Sequence, residues 1–178
     1  MKNALLVIDI QDSFKINPVR WAARSNPRFE ENVTRLIATF REAGEPIVFV
    51  LHTDPDPGFR RADPELRLMS FLDRREGDPL LVKTTRNAFT STDLESRLDA
   101  MGVERVVVCG ISTEQCCETT TRVAADLGYE VDFVTEATLT FPIAGMTTEA
   151  LIERTEAVLR GRFARIVSVD EVGAVFAT

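Results

Sequence analysis

The sequence predicts an α/β fold, a doubly wound, Rossmann-like three-layer sandwich around a mostly parallel sheet of about six strands in the order 3-2-1-4-5-6. Three observations carry this. Short apolar runs alternate with helix-length amphipathic stretches about six times along the 178 residues. Most of the runs are β-branched and apolar on both faces, as strands covered by helices on both sides are. Right-handed crossovers then leave few topologies, and an open doubly wound sheet is the simplest.

Each element has its own signal. The first strand is "ALLVIDI" (4–10), a continuous apolar run broken by an acid at Asp9. A helix follows over 27–44, with Phe29, Val33, Leu36, Ile37 and Phe40 on one face and Gly44 at its end. "PIVFVLH" (46–52) and "PLLVK" (79–83) are the second and third strands. Between them, 53–78 breaks the rhythm with Pro55, Pro57, Pro64 and many charges, and reads as a long excursion with one short helix around 64–74. A helix over 91–102 leads to the fourth strand, "RVVVCG" (105–110). A helix over 113–128 ends at Gly128 and leads to the fifth, "EVDFVTEA" (130–137). A last helix spans 147–163, and "RIVSVD" (165–170) reads as the sixth strand. No repeat, low-complexity tract or linker interrupts this, so residues 1–178 are expected to form one domain.

Composition narrows the function. A net charge of −7 argues against nucleic acid or an anionic membrane surface as partner. No apolar run reaches the roughly 18 residues of a membrane span. The start "MKNALLVIDIQD" lacks the form of a signal peptide, so a cytoplasmic location is expected. Three cysteines are too few for a disulfide framework and are expected as free thiols. The single histidine, His52, excludes a His-rich zinc site.

In open α/β sheets, ligands bind beyond the carboxyl ends of the strands. Three reactive residues fall there: Asp9 after the first strand, Lys83 ending the third, and Cys116 at the start of the helix after the fourth. A helix N-terminus and a neighbouring ammonium both favour a thiolate. A carboxylate can take the thiol proton and return it to a leaving amine. Backbone N–H groups of the turn can hold an oxyanion. Such a set suffices for acyl transfer without a histidine. Each residue alone has an ordinary alternative, as a turn cap, a solvated lysine or a packed thiol, and their coincidence at three strand ends favours chemistry. Cys109, inside the strand, reads as core. Cys117 lies about 100° from Cys116 around a helix and reads as packing.

At these residues the chain resembles the isochorismatase-like cysteine hydrolases, which include nicotinamidases, N-carbamoylsarcosine amidases, ureidoacrylate and biuret hydrolases, and isochorismatases. "LLVIDIQDSF" resembles the D-x-Q-x-x-F opening through Asp9, Gln11 and Phe14. "KTTRNAFTSTDLESRL" resembles the lysine segment from Lys83 to Leu94, and "VVVCGISTEQCCETTTRVAADLGYEV" the nucleophile segment.

The resemblance implies a catalytic triad of Asp9, Lys83 and Cys116, a cis peptide between Ile111 and Ser112, and an oxyanion hole from the Ser112 and Cys116 amides. It implies a hydrolase of a small amide or ureido compound acting through a thioester on Cys116. The alternatives are vinyl-ether hydrolysis of the isochorismatase type and, on the same scaffold, a thiol redox sensor. Phe14, Trp21, His52 and Phe141 are candidate pocket residues, and Arg60, Arg61 and Arg86 could meet an anionic substrate. Nicotinamidases bind a metal through an Asp-x-His and a further histidine. This chain offers only His52 there, so no metal and no cofactor are expected. The expected partners are a small-molecule substrate and other copies of the chain, as a dimer or tetramer, with no nucleic acid and no membrane.

Overall fold

The computed structural model describes residues 1–176. Six strands form one sheet: β1 (Asn3–Ile8), β2 (Ile47–His52), β3 (Leu80–Lys83), β4 (Arg105–Ile111), β5 (Glu130–Leu139) and β6 (Arg165–Ile166). All neighbours pair in parallel, in the order β3-β2-β1-β4-β5-β6. This is the order the alternating pattern predicts. Helices α1 (Pro18–Ala22), α2 (Phe29–Ala43), α3 (Leu94–Ala100), α4 (Glu118–Asp126), α5 (Thr148–Leu159) and α6 (Val169–Phe176) complete the layers. None of them is long and apolar enough to cross a membrane.

The middle strands β1, β2 and β4 are mostly apolar because both their faces are covered. In β1, Leu5 and Val7 pack with Phe29, Val33, Leu36, Ile37 and Phe40 of α2 and with Val169 and Val172 of α6. Ala4, Leu6 and Ile8 point the other way, toward Leu94 and Leu98 of α3, Ala124 of α4 and Leu159 of α5. Gly44 closes α2 in the left-handed conformation, φ 68°.

Two expectations need correction. No helix forms at 64–74. Instead Leu68 bridges Gln11 in antiparallel fashion, and Met69 N donates to Ile10 O at 3.0 Å. Local helix-forming residues lose here to a tertiary edge, because Met69 is buried only when this segment lies extended along the end of β1. The strand expected over 165–170 stops at Ile166, and α6 begins instead. Ser168 and Glu171 form a reciprocal cap, with Glu171 N donating to Ser168 Oγ at 3.1 Å and Ser168 N to Glu171 Oε2 at 2.7 Å. That Ser-x-x-Glu signature was readable and outweighs the apolar alternation around it. One element not anticipated from the sequence is α1, a short helix with Pro18 in its first turn and Asn17 Oδ1 accepting from Arg20 N at 3.0 Å.

The β4–β5 ladder slips between Val108, which pairs with Phe133, and Gly110, which pairs with Thr138. Gly110 also faces β1 so closely that an added Cβ would sit 2.0 Å from the Ile8 carbonyl oxygen, and its φ of 139° suits glycine alone. β1 and β4 therefore approach each other where the site residues leave the sheet. Gly110→Ala is expected to cost about 3 kcal/mol or more, read as a lowered midpoint in denaturant unfolding. A variant as stable as the parent would contradict this account of the close approach.

Candidate active site

Asp9 follows the last residue of β1 in a left-handed conformation, φ 51°, which aspartate tolerates better than most residues. Its own N–H still bonds to Val50 O at 2.9 Å, so the turn starts from the sheet. Two residues on, the buried Gln11 side chain acts as a piece of strand. Its Oε1 accepts from His52 N at 2.7 Å, and its Nε2 donates to His52 O at 3.0 Å and Ser13 Oγ at 2.8 Å. This amide clamps the end of β2. Lys83 pairs in register with His52 at the end of β3. After β4 comes a cis Ile111–Ser112 peptide, then one π-type turn, Thr113–Cys117, leading into α4. Cys117 N donates to Ser112 O at 3.2 Å across five residues.

These ends bring Asp9, Lys83 and Cys116 together. Lys83 Nζ lies 2.8 Å from Asp9 Oδ2 and 3.4 Å from Cys116 Sγ, with both Asp9 and Lys83 fully buried. The same ammonium donates to Thr85 O at 3.1 Å and meets His52 Nδ1 at 3.2 Å. Cys109 and Cys117 are sealed in the core.

Burial dominates the electrostatics. It pushes the Asp9 carboxyl up from its ordinary range, against the pull of Lys83, and so strengthens it as a base. The Cys116 thiol is pushed up to about 12, by burial first and then by the Asp9 charge. The favourable field of a helix N-terminus and of Lys83 does not overcome this, so the resting group is a thiol and not the thiolate that its position on the chain suggests. His52 is driven down to about 4 by burial, Lys83 and Arg86.

Above this set lies a cleft of about 190 Å³, lined by Phe14, Arg20, His52, Asp54, Phe59, Arg86, Ser112, Gln115 and Cys116 among others. Phe14 meets Phe59 edge-on at 5.2 Å and stacks on Phe141 at 5.9 Å. Phe14 and His52 thus reach the cleft wall. Phe141 is buried behind Phe14, and Trp21 packs 6.3 Å from Phe141, away from the cleft lining. Of the three arginines considered, Arg86 lines the cleft and pairs with Asp54 at 3.6 Å, while Arg60 turns to Pro55 O at 2.9 Å. Arg20, Asp54, Phe59 and Gln115 were not singled out from sequence. Arg20, Asp54 and Phe59 stand in loops or on the short α1, where no periodicity marks a side chain as inward. Gln115 is the exception, one residue before the candidate nucleophile.

Residues 3–171 match the isochorismatase domain. The chain belongs to the isochorismatase family. Among relatives of this hydrolase, nicotinamidase 3 of Arabidopsis thaliana is 32% identical over 95% of this chain and 86% of its own length. The streptothricin hydrolase of Streptomyces noursei is 32% identical over 79% of this chain and 50% of its own length. An isochorismatase-family structure from Chromobacterium violaceum superposes with a TM-score of 0.92 at 27% identity, covering 99% of this chain and 94% of that one. The family's members are hydrolases of small molecules, and so is this chain. Among its described residues, no three His, Cys, Asp or Glu side chains are grouped to hold a metal ion. Both nitrogens of His52 already face Lys83, Asp54 and Arg86, so a nicotinamidase-type metal does not fit here.

The depressed His52 has a stability consequence. The unfolded ring takes a proton near pH 6.5, while the folded ring refuses it until about 4. Between those values the unfolded state binds more protons, so stability falls as pH falls. Relative to His52→Asn, which has no ring to titrate, the parent should lose about 2–3 kcal/mol between pH 7 and 4, measured by urea unfolding at each pH. Parallel curves for the two proteins would show that His52 titrates normally.

Proposed function

We propose that this isochorismatase-family protein hydrolyses the C–N bond of a small carboxamide or ureido compound through a thioester on Cys116. The observation that carries the reading is the single ammonium, Lys83 Nζ, standing 2.8 Å from Asp9 and 3.4 Å from Cys116 Sγ beneath one cleft. The cleft volume of about 190 Å³ falls below the range of about 300–1,000 Å³ typical of sites for drug-sized ligands, which suits a small substrate.

In this mechanism the thiol is the ground state, so attack and deprotonation go together. Asp9 takes the Cys116 proton as sulfur adds to the carbonyl carbon. The amides of Ser112 and Cys116 receive the oxyanion. Collapse breaks the C–N bond, and Asp9 gives its proton to the departing ammonia or amine. Asp9 then deprotonates a water that attacks the thioester, which releases the acid and restores the thiol. Lys83 holds Asp9 in place and offsets the negative charge as it moves between carboxylate and sulfur. His52 and Phe14 contribute to the wall. The same reading has the enzyme act as a dimer or tetramer, checked by multi-angle light scattering, with a monomer as the contrary result.

A raised carboxyl at Asp9 would also serve to protonate a vinyl ether, which is the second reading. One experiment separates the two. In an ammonia-release screen over carboxamides and ureido compounds, Cys116→Ala should lose at least about 10³-fold in kcat/KM. Cys117→Ala should keep activity within about tenfold and lose about 1–2 kcal/mol of stability. Equal loss in both variants would sink the nucleophile assignment. Vinyl-ether cleavage surviving in Cys116→Ala would favour the second reading.

A further inference from the structure

Two arginines line the cleft above Cys116, Arg20 and Arg86. Arg86 is already engaged, standing 3.6 Å from Asp54 Oδ2 and against the His52 ring. Arg20 is not. Its backbone is fixed, because Pro18 opens α1 and the Arg20 N–H donates to Asn17 Oδ1 at 3.0 Å. Its guanidinium carbon lies 4.4 Å from the centre of the Phe141 ring. Phe141 is itself buried and stacked on Phe14, so the cation rests on a fixed platform while staying open to solvent. Yet among the described residues no carboxylate and no other acceptor meets its five side-chain N–H donors. Arg24, four residues on, shows the contrast. It lies 4.2 Å over the Trp21 ring, outside the cleft lining, and is paired with Glu30 at 2.9 Å. Lys15 is likewise paired, with Asp12 at 3.1 Å. In this stretch the cations away from the cleft have a carboxylate, and the one that lines it has none.

We propose that Arg20 is a specificity-determining residue, and that the substrate carries a carboxylate which this guanidinium receives while the carbonyl to be attacked lies at Cys116. The amide half of that substrate rests on the acyl chemistry proposed above. The carboxylate half rests on Arg20 alone. The planar fork of a guanidinium matches a carboxylate through two parallel N–H···O bonds. A ring against the cation removes freedom that binding would otherwise have to remove, which preorganises the fork. One free cation suits one negative charge, so a carboxylate fits better than a phosphate dianion. The other charges of the lining do not cancel this. Asp54 and Arg86 offset one another. Asp56 is exposed and held only by its backbone, whose N–H donates to Asp54 Oδ1 at 2.8 Å. An unfixed, solvated carboxylate opposes an anion less than a fixed guanidinium in contact attracts it.

The test is equilibrium binding, read by NMR titration of the Cys116→Ala chain, which keeps the cleft and cannot form a thioester. The probes are malonamate, succinamate and glutaramate, each against its neutral diamide, so that the span from carboxylate to carboxamide is varied. In at least one pair the acid should bind about tenfold tighter than the diamide, as one charge-assisted pair does after discounting for its exposure to water. Adding Arg20→Gln should bring that ratio to within about twofold of unity. A mere loss of packing would weaken acid and diamide alike, so the ratio reads recognition of the charge. Arg24→Gln removes an equal charge outside the cleft and should keep the preference, as should Asp56→Asn. Equal binding of acid and diamide in every pair would overturn the proposal. So would a preference that survives Arg20→Gln, or one that Arg24→Gln or Asp56→Asn abolishes. The titration needs no turnover. A preference for the acids with no ammonia release from any of them by the parent strikes the amide chemistry alone, and release without a preference strikes Arg20 alone.

Discussion

The ion pair between Asp9 and Lys83 is the constraint on which the rest of the site depends. Both side chains are fully enclosed. Removing two charges from water costs several kcal/mol each, about as much as their attraction returns, so further hydrogen bonds to the pair matter. The fold supplies them to Lys83, which reaches Thr85 O, His52 Nδ1 and Cys116 Sγ, and leaves the buried Asp9 Oδ1 without a hydrogen-bond partner among the described residues. β3 delivers Lys83 in register with His52 of β2, and Thr85 O turns back to accept from the ammonium. β1 delivers Asp9 through a left-handed turn. Gln11 then fastens β1 to β2 where the sheet's own ladder ends. The order 3-2-1-4 puts these ends side by side, with the Cys116 turn at the fourth.

Burial also decides what state the Cys116 sulfur rests in. Two influences favour a thiolate at Cys116, the start of a helix and a lysine 3.4 Å away. Two oppose it, desolvation and the Asp9 carboxylate, and they win. A sulfur that is a thiol at rest cannot attack without a base. The same desolvation that disables the thiolate raises the basicity of Asp9. In the proposed acyl chemistry, one physical cause therefore creates the need for a base and improves the carboxylate that would meet it.

The sheet, its order and the residues meeting at its edge were legible because burial on both faces leaves a continuous apolar trace, and because reactive residues at strand ends break it visibly. Asp9 interrupts "ALLVIDI" in just this way. The misses have physical reasons. At 64–74 the chain extends because Met69 and Leu68 find partners beside β1, which no local propensity records. At 168–171 the cap was present but was read as strand, since Val167 and Val169 continue the alternation. The cleft wall was only half legible. Phe14 comes from a segment anchored to β1, whereas Arg20 and Phe59 depend on how loops fold back. Ser13 Oγ donating to Gly58 O at 2.6 Å and Thr53 Oγ1 to Phe59 O at 2.6 Å draw that return path. No spacing in the sequence encodes it.

The net charge of −7 is a poor guide to what the cleft can take. Around the Cys116 sulfur, Asp9, Asp54 and Asp56 stand against Lys83, Arg20 and Arg86, three of each sign, with His52 held neutral between them. Asp9 is spent on Lys83, and Asp54 on Arg86 and the His52 ring. The excess negative charge of the chain must therefore lie elsewhere, where it bears on solubility and on long-range encounter. A compound entering this cleft meets the paired Asp54 and Arg86, two aromatic rings, and Arg20 and Asp56, whose charges are opposite in sign. That environment neither repels nor strongly steers a neutral molecule. It leaves recognition of such a molecule to short-range hydrogen bonds and shape.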